Sequence, residues 1–346
     1  MLEFDLRKST IKTLRGKSSL VIRKFTQVEE KFHDYKRNVS DICQTAKRRI
    51  IVKDQLLSIV IITCNRMNEL SKTIESCMNF CGMPYELIVV DNGSTDGTRE
   101  YLNELSKRNS CIKCDFEEVN LGVSGGRNKG YSLANSDIVF FIDDDAYFQN
   151  DSHLLVEAYN KMIENPHIGA LAFNIYDLKQ KRFLIDEASA KGSNQVISYV
   201  GAAHMLRKIK SLNGYIYPAY LKYGAEERYA SLRYAEMGYS TEFFEDVKIL
   251  HAPSVHTRTS EKEIHRNVKI NQFVIRELLY PERLKGISFL FFLIRLIKLE
   301  RLNVKQIGQD LKITKSRYQE NRQYQYSVHM NTIKKLCKDF KIKNII

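Results

Sequence analysis

The segment Phe140 to Asp145 reads Phe-Phe-Ile-Asp-Asp-Asp, an apolar run that stops at three consecutive acids. A short apolar run bounded by polar residues has the pattern of a buried strand. Carboxylates at the C-terminal end of such a strand make a cation site. Residues i and i+2 of an extended segment point to the same side, so Asp143 and Asp145 are placed to face one Mg2+ or Mn2+ ion. Hard divalent cations take oxygen ligands, and Mg2+ in particular is usually held by one or two carboxylates plus the phosphates of a substrate.

Upstream, strands and helices alternate. Leu57 to Thr63 is a β-branched apolar run that ends at Cys64, Asn65 and Arg66. A helix is predicted from about Met67 to Phe80, then a strand from Glu86 to Val90. That strand ends in Asp91-Asn92-Gly93-Ser94-Thr95-Asp96-Gly97, which combines turn formers with a helix cap. A third strand near Ile112 to Phe116 leads into a glycine-rich loop, Asn120 to Gly130. A short helix and the strand Ile138 to Ile142 follow. Three βα units with apolar strands predict an α/β fold: a mostly parallel central sheet with helices on both faces. Ligands of such sheets bind beyond the carboxyl ends of the strands. The Thr63 to Arg66 turn, Asp91, the glycine-rich loop and the three acids therefore converge on one crevice. Singly, each is explained as a turn, a cap or a loop; their joint placement points to a ligand.

On these blocks the chain resembles the family 2 inverting glycosyltransferases of the GT-A (nucleotide-diphospho-sugar transferase) fold. The matching residues are Thr63, Asn65 and Arg66; Asp91 to Ser94 with Asp96; Asn120 to Gly122 with Arg127, Asn128 and Gly130; and Asp143 to Asp145. Looser matches follow in Gly224 to Glu227 with Arg233, Gly238-Tyr239, and His251 with Ser254, where the rhamnosyltransferase-like branch is the nearest pattern. The resemblance implies that Asp91 bonds the base of a UDP- or dTDP-type sugar donor under the Thr63 to Arg66 turn. It implies that Arg127 belongs to the donor site, that Asp143 or Asp144 contacts the ribose, and that Asp145 holds the metal with Asp143. His251, after the apolar run Val247 to Leu250, is either a further metal or diphosphate contact or a packing residue. The cofactor expected is Mn2+ or Mg2+, neutralising charge on the leaving diphosphate.

Inversion needs one carboxylate to take the proton of the acceptor hydroxyl. Glu226 and Glu227 stand where the family has a Glu-Asp pair, which makes Glu227 the expected base and Glu226 its partner; the plain alternative is a pair of acids favoured at a helix start. Two departures stand out: the second acid is Glu, and Tyr229 occupies a position where many relatives have a further Asp. An oxidoreductase would place Gly-X-Gly-X-X-Gly directly after the first strand, where Thr63-Cys64-Asn65-Arg66 stands instead. The non-enzymatic alternative is a membrane-associated scaffold that binds sugar nucleotides without turnover. Acceptor choice, whether glycan, lipid-linked or peptide, is expected to rest on the segments Asn174 to Ser193 and Tyr199 to Arg207.

Charge separates the chain into parts. Residues 1–57 carry 14 basic and 7 acidic residues, residues 283–346 carry 15 and 4, and the stretch between carries 25 and 30. The basic excess thus flanks an acidic module, which favours an anionic membrane surface over nucleic acid. The domain organisation expected is a helical basic extension at 1–56, a catalytic domain at 57–282 and a basic amphipathic helical extension at 283–346. Ile287 to Leu299 is apolar but too short to span a bilayer; with Arg295, Lys298, Arg301 and Lys305 on one face it reads as a helix in the membrane interface, or as one packed on the catalytic domain. Val21, Phe25, Val28, Phe32, Tyr35, Val39, Ile42 and Ala46 form a heptad seam that either joins two protomers or docks on its own chain. Seven cysteines and an N-terminus without an apolar leader predict free thiols and a cytoplasmic location, peripheral on the inner face of the plasma membrane.

Overall fold

The computed structural model describes residues 55–80, 82–149, 153–184, 194–209, 215–221, 224–253 and 261–340. The heptad seam expected to join protomers, residues 21–46, and Ser254 lie outside the described residues. Contacts divide the chain at residues 53/54, and residues 54–346 form one compact unit with no break at 282/283.

Its centre is a nine-stranded sheet. The strands are β1 (Leu57–Thr63), β2 (Tyr85–Asp91), β3 (Ile112–Phe116), β4 (Ile138–Ile142), β5 (Ala146–Phe148), β6 (Ile168–Asp177), β7 (Arg182–Phe183), β8 (Ala203–Arg207) and β9 (Ser240–His251). Their order is β3-β2-β1-β4-β8-β6-β9-β5, with β7 paired to β6. The first four strands are parallel, as the βα alternation predicts. Beyond β4 the sheet is mixed: β8 runs antiparallel to β4 and β6, and β5 antiparallel to β9, while β6 and β9 are parallel. The mostly parallel expectation thus holds for one half only, because the crossover-helix rhythm that signals parallel pairing stops after β4.

Among the described residues the α-helices are α1 (Met67–Met78), α2 (Thr98–Arg108), α3 (Gly122–Leu133), α4 (Leu154–Glu164), α5 (Glu226–Glu236), α6 (Glu261–Leu279), α7 (Glu282–Glu300), α8 (Val304–Asn321) and α9 (Met330–Asp339). Strand alternation sends Leu57, Ile59 and Ile61 into one core, shared with Leu70 and Ile74 of α1, Leu102 of α2 and Met162 of α4. Val60, Ile88, Val139 and Phe141 enter a second core on the other face, with Tyr131, Tyr217 and Tyr234. Each fully buried aliphatic or Phe side chain of these layers contributes roughly 1.5–3 kcal/mol. A third core joins Tyr229 and Leu232 of α5 to α6, α7 and α9, so the C-terminal helices are built onto the sheet-bearing half.

The segment predicted as a glycine-rich loop is helix α3 itself. The glycines serve closeness. A Cβ on Gly130 would fall inside the Val60 side chain, and one on Gly126 would lie 3.2 Å from Ile62, so only glycine lets α3 lie flat on β1.

Candidate active site

Parallel registry aligns the strand ends: Thr63 pairs with Asp91 and Asp91 with Phe116. Asp143, Asp144 and Asp145 follow β4 directly, in a turn fixed from behind by Thr73 of α1. Its hydroxyl reaches the carbonyls of Asp144 and Ala146 at 2.9 and 2.8 Å. Thr63 Oγ1 donates to Asp144 Oδ2 at 2.7 Å, and Arg66 spans two acids, with Nη1 2.8 Å from Asp144 and Nη2 2.6 Å from Asp145. The β5–β9 and β6–β9 registers set His251 beside both Ala146 and Asp177. Its Nε2 lies 3.3 Å from Asp145 Oδ1 and its Nδ1 3.1 Å from Asp177 Oδ2. Burial disfavours the Asp145 carboxylate, but the hydrogen bond and charge of His251 and the charge of Arg66 outweigh it and hold the group well below the usual range. His251 is raised in turn: burial opposes its charge, and Asp145 overcomes that.

Ligand atoms of Asp143, Asp145 and His251 all lie within 4.8 Å of one another. Two carboxylate oxygens and an imidazole suit Mn2+ or Mg2+ better than a thiolate-seeking ion. Asp177 on the far ring nitrogen fixes the tautomer that leaves Nε2 facing the acids, an arrangement typical of metal-binding histidines.

Across the same cavity, of about 460 Å³, stand Glu226 and Glu227. They open α5 after two left-handed residues, Gly224 at φ 84° and Ala225 at φ 76°, which turn the helix start inward. The turn is anchored from the C-terminal helices: Asn271 Nδ2 donates to the Gly224 carbonyl at 2.8 Å, and Arg317 Nη1 donates to Asn271 Oδ1 at 2.6 Å. Buried Arg127 ties the two ends of the cavity together. Its guanidinium contacts Glu226 at 3.1 Å, Asp143 at 2.8 Å and the Gly201 carbonyl at 2.9 Å, and lies 3.8 Å from Glu227. Burial, and then the charge of Glu226, push Glu227 up to about 8. Glu226 is raised as well, chiefly by burial, and its Oε2 is buried with no hydrogen-bond partner.

Residues 58–210 match the family described as glycosyl transferase family 2. The chain carries a family 2 glycosyltransferase domain. It is 34% identical over 110 residues to an uncharacterized glycosyltransferase of Haemophilus influenzae, covering 32% of this chain and 43% of that protein. It is 32% identical over 129 residues to a cholesterol galactosyltransferase of Borreliella burgdorferi, covering 37% and 35%. The chain thus spans less than half the length of these two relatives. The fold is similar to that of a Pyrobaculum calidifontis mannosyltransferase solved with GDP-Man and Mn2+, with a TM-score of 0.52, 17% identity, and 83% of this chain and 88% of that chain covered.

Thr63, Arg66, Arg127, Asp143, Asp144 and Asp145, inside the matched stretch, and Glu226, Glu227 and His251, beyond it, line one cavity. Asp91 and Asn65 lie beside it. Asp91 is fully buried and accepts from Arg99 Nε at 3.1 Å and from the Ser94 amide at 3.2 Å, while its neighbour Asn92 reaches the cavity wall. Asn65, at φ 54°, accepts from the Thr95 amide and so closes the turn against the β2 loop. Tyr229 points away from the cavity, donating to the Tyr324 carbonyl at 2.7 Å. Sequence reading missed Asp177, Gly201, Asn271 and Arg317. Each acts through strand register or helix packing across 46 to 74 residues, and only Gly201, a glycine ahead of an apolar strand, left a local trace. The two expected acceptor loops are partly strand, β6 with β7 and β8, yet Asp177, Gln180, Leu184 and Val200 to Ala202 do border the cavity.

Proposed function

We propose that this chain moves a sugar, with inversion, from a nucleoside-diphosphate donor to an acceptor hydroxyl. The supporting observation is the single cavity in which the Asp143, Asp145 and His251 cluster faces Glu226 and Glu227, with Arg127 bonded to both sides. A divalent cation held by Asp143, Asp145 and His251 would supply charge stabilisation to the leaving diphosphate. Arg66 brings one guanidinium to Asp144 and Asp145, and Arg127 brings a second to Asp143 and Glu226. Thr63, Asn65, Asp91 and Asp144 form the nucleoside end, Asp91 by shaping the loop that carries Asn92. Glu227 takes the acceptor proton as oxygen attacks the anomeric carbon. A pKa raised toward the working pH suits a general base, and burial, then the charge of Glu226, raises it while Arg127 keeps the pair aligned.

The acceptor is a glycan or lipid-linked saccharide of the cell surface. Release of nucleoside diphosphate from a panel of UDP-, dTDP- and GDP-sugars with Mn2+ tests the reading. Metal-dependent turnover supports it; tight binding without turnover in the presence of any acceptor would identify a sugar-nucleotide-binding scaffold instead.

A further inference from the structure

Helix α7 buries Ser288, Phe292 and Leu296 against α6. Its other side carries large apolar groups into solvent: Ile287 is 45% exposed, Leu290 55% and Ile294 51%. The spacing 287, 290, 294 keeps these three on one face, an apolar stripe about 10 Å long. Exposed Arg283 stands at one end, and exposed Lys298, Arg301 and Lys305 at the other. Of the acids on this helix, Glu300 is buried in its pairing with Lys262 and Arg266, and Glu282 pairs with Lys285. Arg295, expected in the cationic stripe, is half-buried instead.

We infer that this face of α7 docks on a membrane surface rich in anionic lipid headgroups. It deepens the reading above by placing the acceptor at a lipid surface, and rests on that reading for the acceptor alone. An apolar stripe with cations at its margins is the pattern of a helix lying in the headgroup region, its side chains reaching the acyl boundary and its charges meeting lipid phosphates. No helix among the described residues is long and apolar enough to cross a membrane. Charge selects lipid over a second copy of the chain. Two such helices packed antiparallel would set Arg283 against Lys298 and Arg301, and packed parallel would set each cation on its twin. A bilayer of anionic lipids offers the opposite charge along the whole stripe.

The test uses the full chain and sedimentation with vesicles of phosphatidylcholine, alone or mixed with phosphatidylglycerol. The protein partitions onto the mixed vesicles, weakly onto the neutral ones, and is released by salt. The double variant L290E/I294E loses at least tenfold in partition. K298E/R301E loses about fivefold or more per charge. Both retain soluble nucleotide-sugar turnover, which shows that they fold. Wild-type-like vesicle binding by L290E/I294E, equal binding to neutral and anionic vesicles, or a dimer in solution that this variant dissociates would each overturn the assignment. Absent turnover with intact vesicle binding would count against the glycosyl-transfer reading and leave the membrane surface standing.

Discussion

Gly201 precedes β8 and faces Glu227 and Arg127, and replacing it with alanine separates structure from chemistry at this site. Its backbone is not left-handed, so alanine meets no conformational strain there. The added Cβ would, however, fall well inside contact distance of Glu227 Oε1 and within 2.9 and 3.0 Å of the Arg127 Nη atoms. The carboxylate is the free end of a flexible side chain and yields first. Restoring ordinary contact moves it by roughly 1 Å, and a shift of that size at a reacting group costs on the order of 100-fold in rate. The fold is affected far less. A carboxylate swinging into an open cavity costs about 1 kcal/mol or less, equivalent to a Tm change of no more than about 2–4 °C.

The assay compares kcat for transfer, Kd for the donor with Mn2+, and thermal melting of Gly201→Ala and wild type. The expected result is a kcat lower by about 100-fold, donor Kd within a few-fold, and a nearly unchanged melt. Loss of Mn2+-dependent donor binding alongside kcat would mean that the perturbation travels through Arg127 to Asp143. Retention of kcat within about threefold, with an unchanged melt, would refute the placement of Glu227 at the reacting hydroxyl.

Glu227→Gln keeps donor binding and lowers transfer by about 10²- to 10⁴-fold; near-normal transfer in a radiolabelled-donor assay would move the base to Glu226. Because burial and then the Glu226 charge raise Glu227 to about 8, its base form appears as pH rises through that region, and Glu226→Gln, which removes the like charge, shifts the rising limb of kcat/KM to lower pH. Asp145→Ala abolishes Mn2+-dependent donor binding by calorimetry, whereas Asp177→Asn, which loosens His251, weakens Mn2+ affinity by about 10- to 100-fold and leaves metal-free nucleotide binding unchanged. Asn271→Ala removes the buried hydrogen bond to the Gly224 carbonyl, a loss of about 1–3 kcal/mol, and lowers kcat more than it weakens donor binding; equal losses in both would show a general rather than a local role.

What the sequence discloses and what it conceals follow from the range of the interactions. Strands β1 to β4 are legible because each is a short apolar run whose polar stop falls at the same end, and parallel register then carries Thr63, Asp91 and the acids to one edge of the sheet. The glycines of α3 mislead a local reading, since their composition signals a loop while their purpose, contact with Val60 and Ile62, lies in another element. The pairing of Arg127 with Glu226 spans 99 residues and that of His251 with Asp177 spans 74, so neither leaves any periodicity to find. The same reasoning revises the status of the C-terminal helices. Composition sets residues 283–346 apart as a basic appendage, yet buried Arg317 from that stretch holds Asn271, which holds the left-handed Gly224–Ala225 turn from which Glu226 and Glu227 project. Detaching residues from 283 onward would remove Arg317 and part of the third core, so such a truncation should fail in catalysis even where the nucleotide end of the cavity, built from β1, β2 and β4, persists.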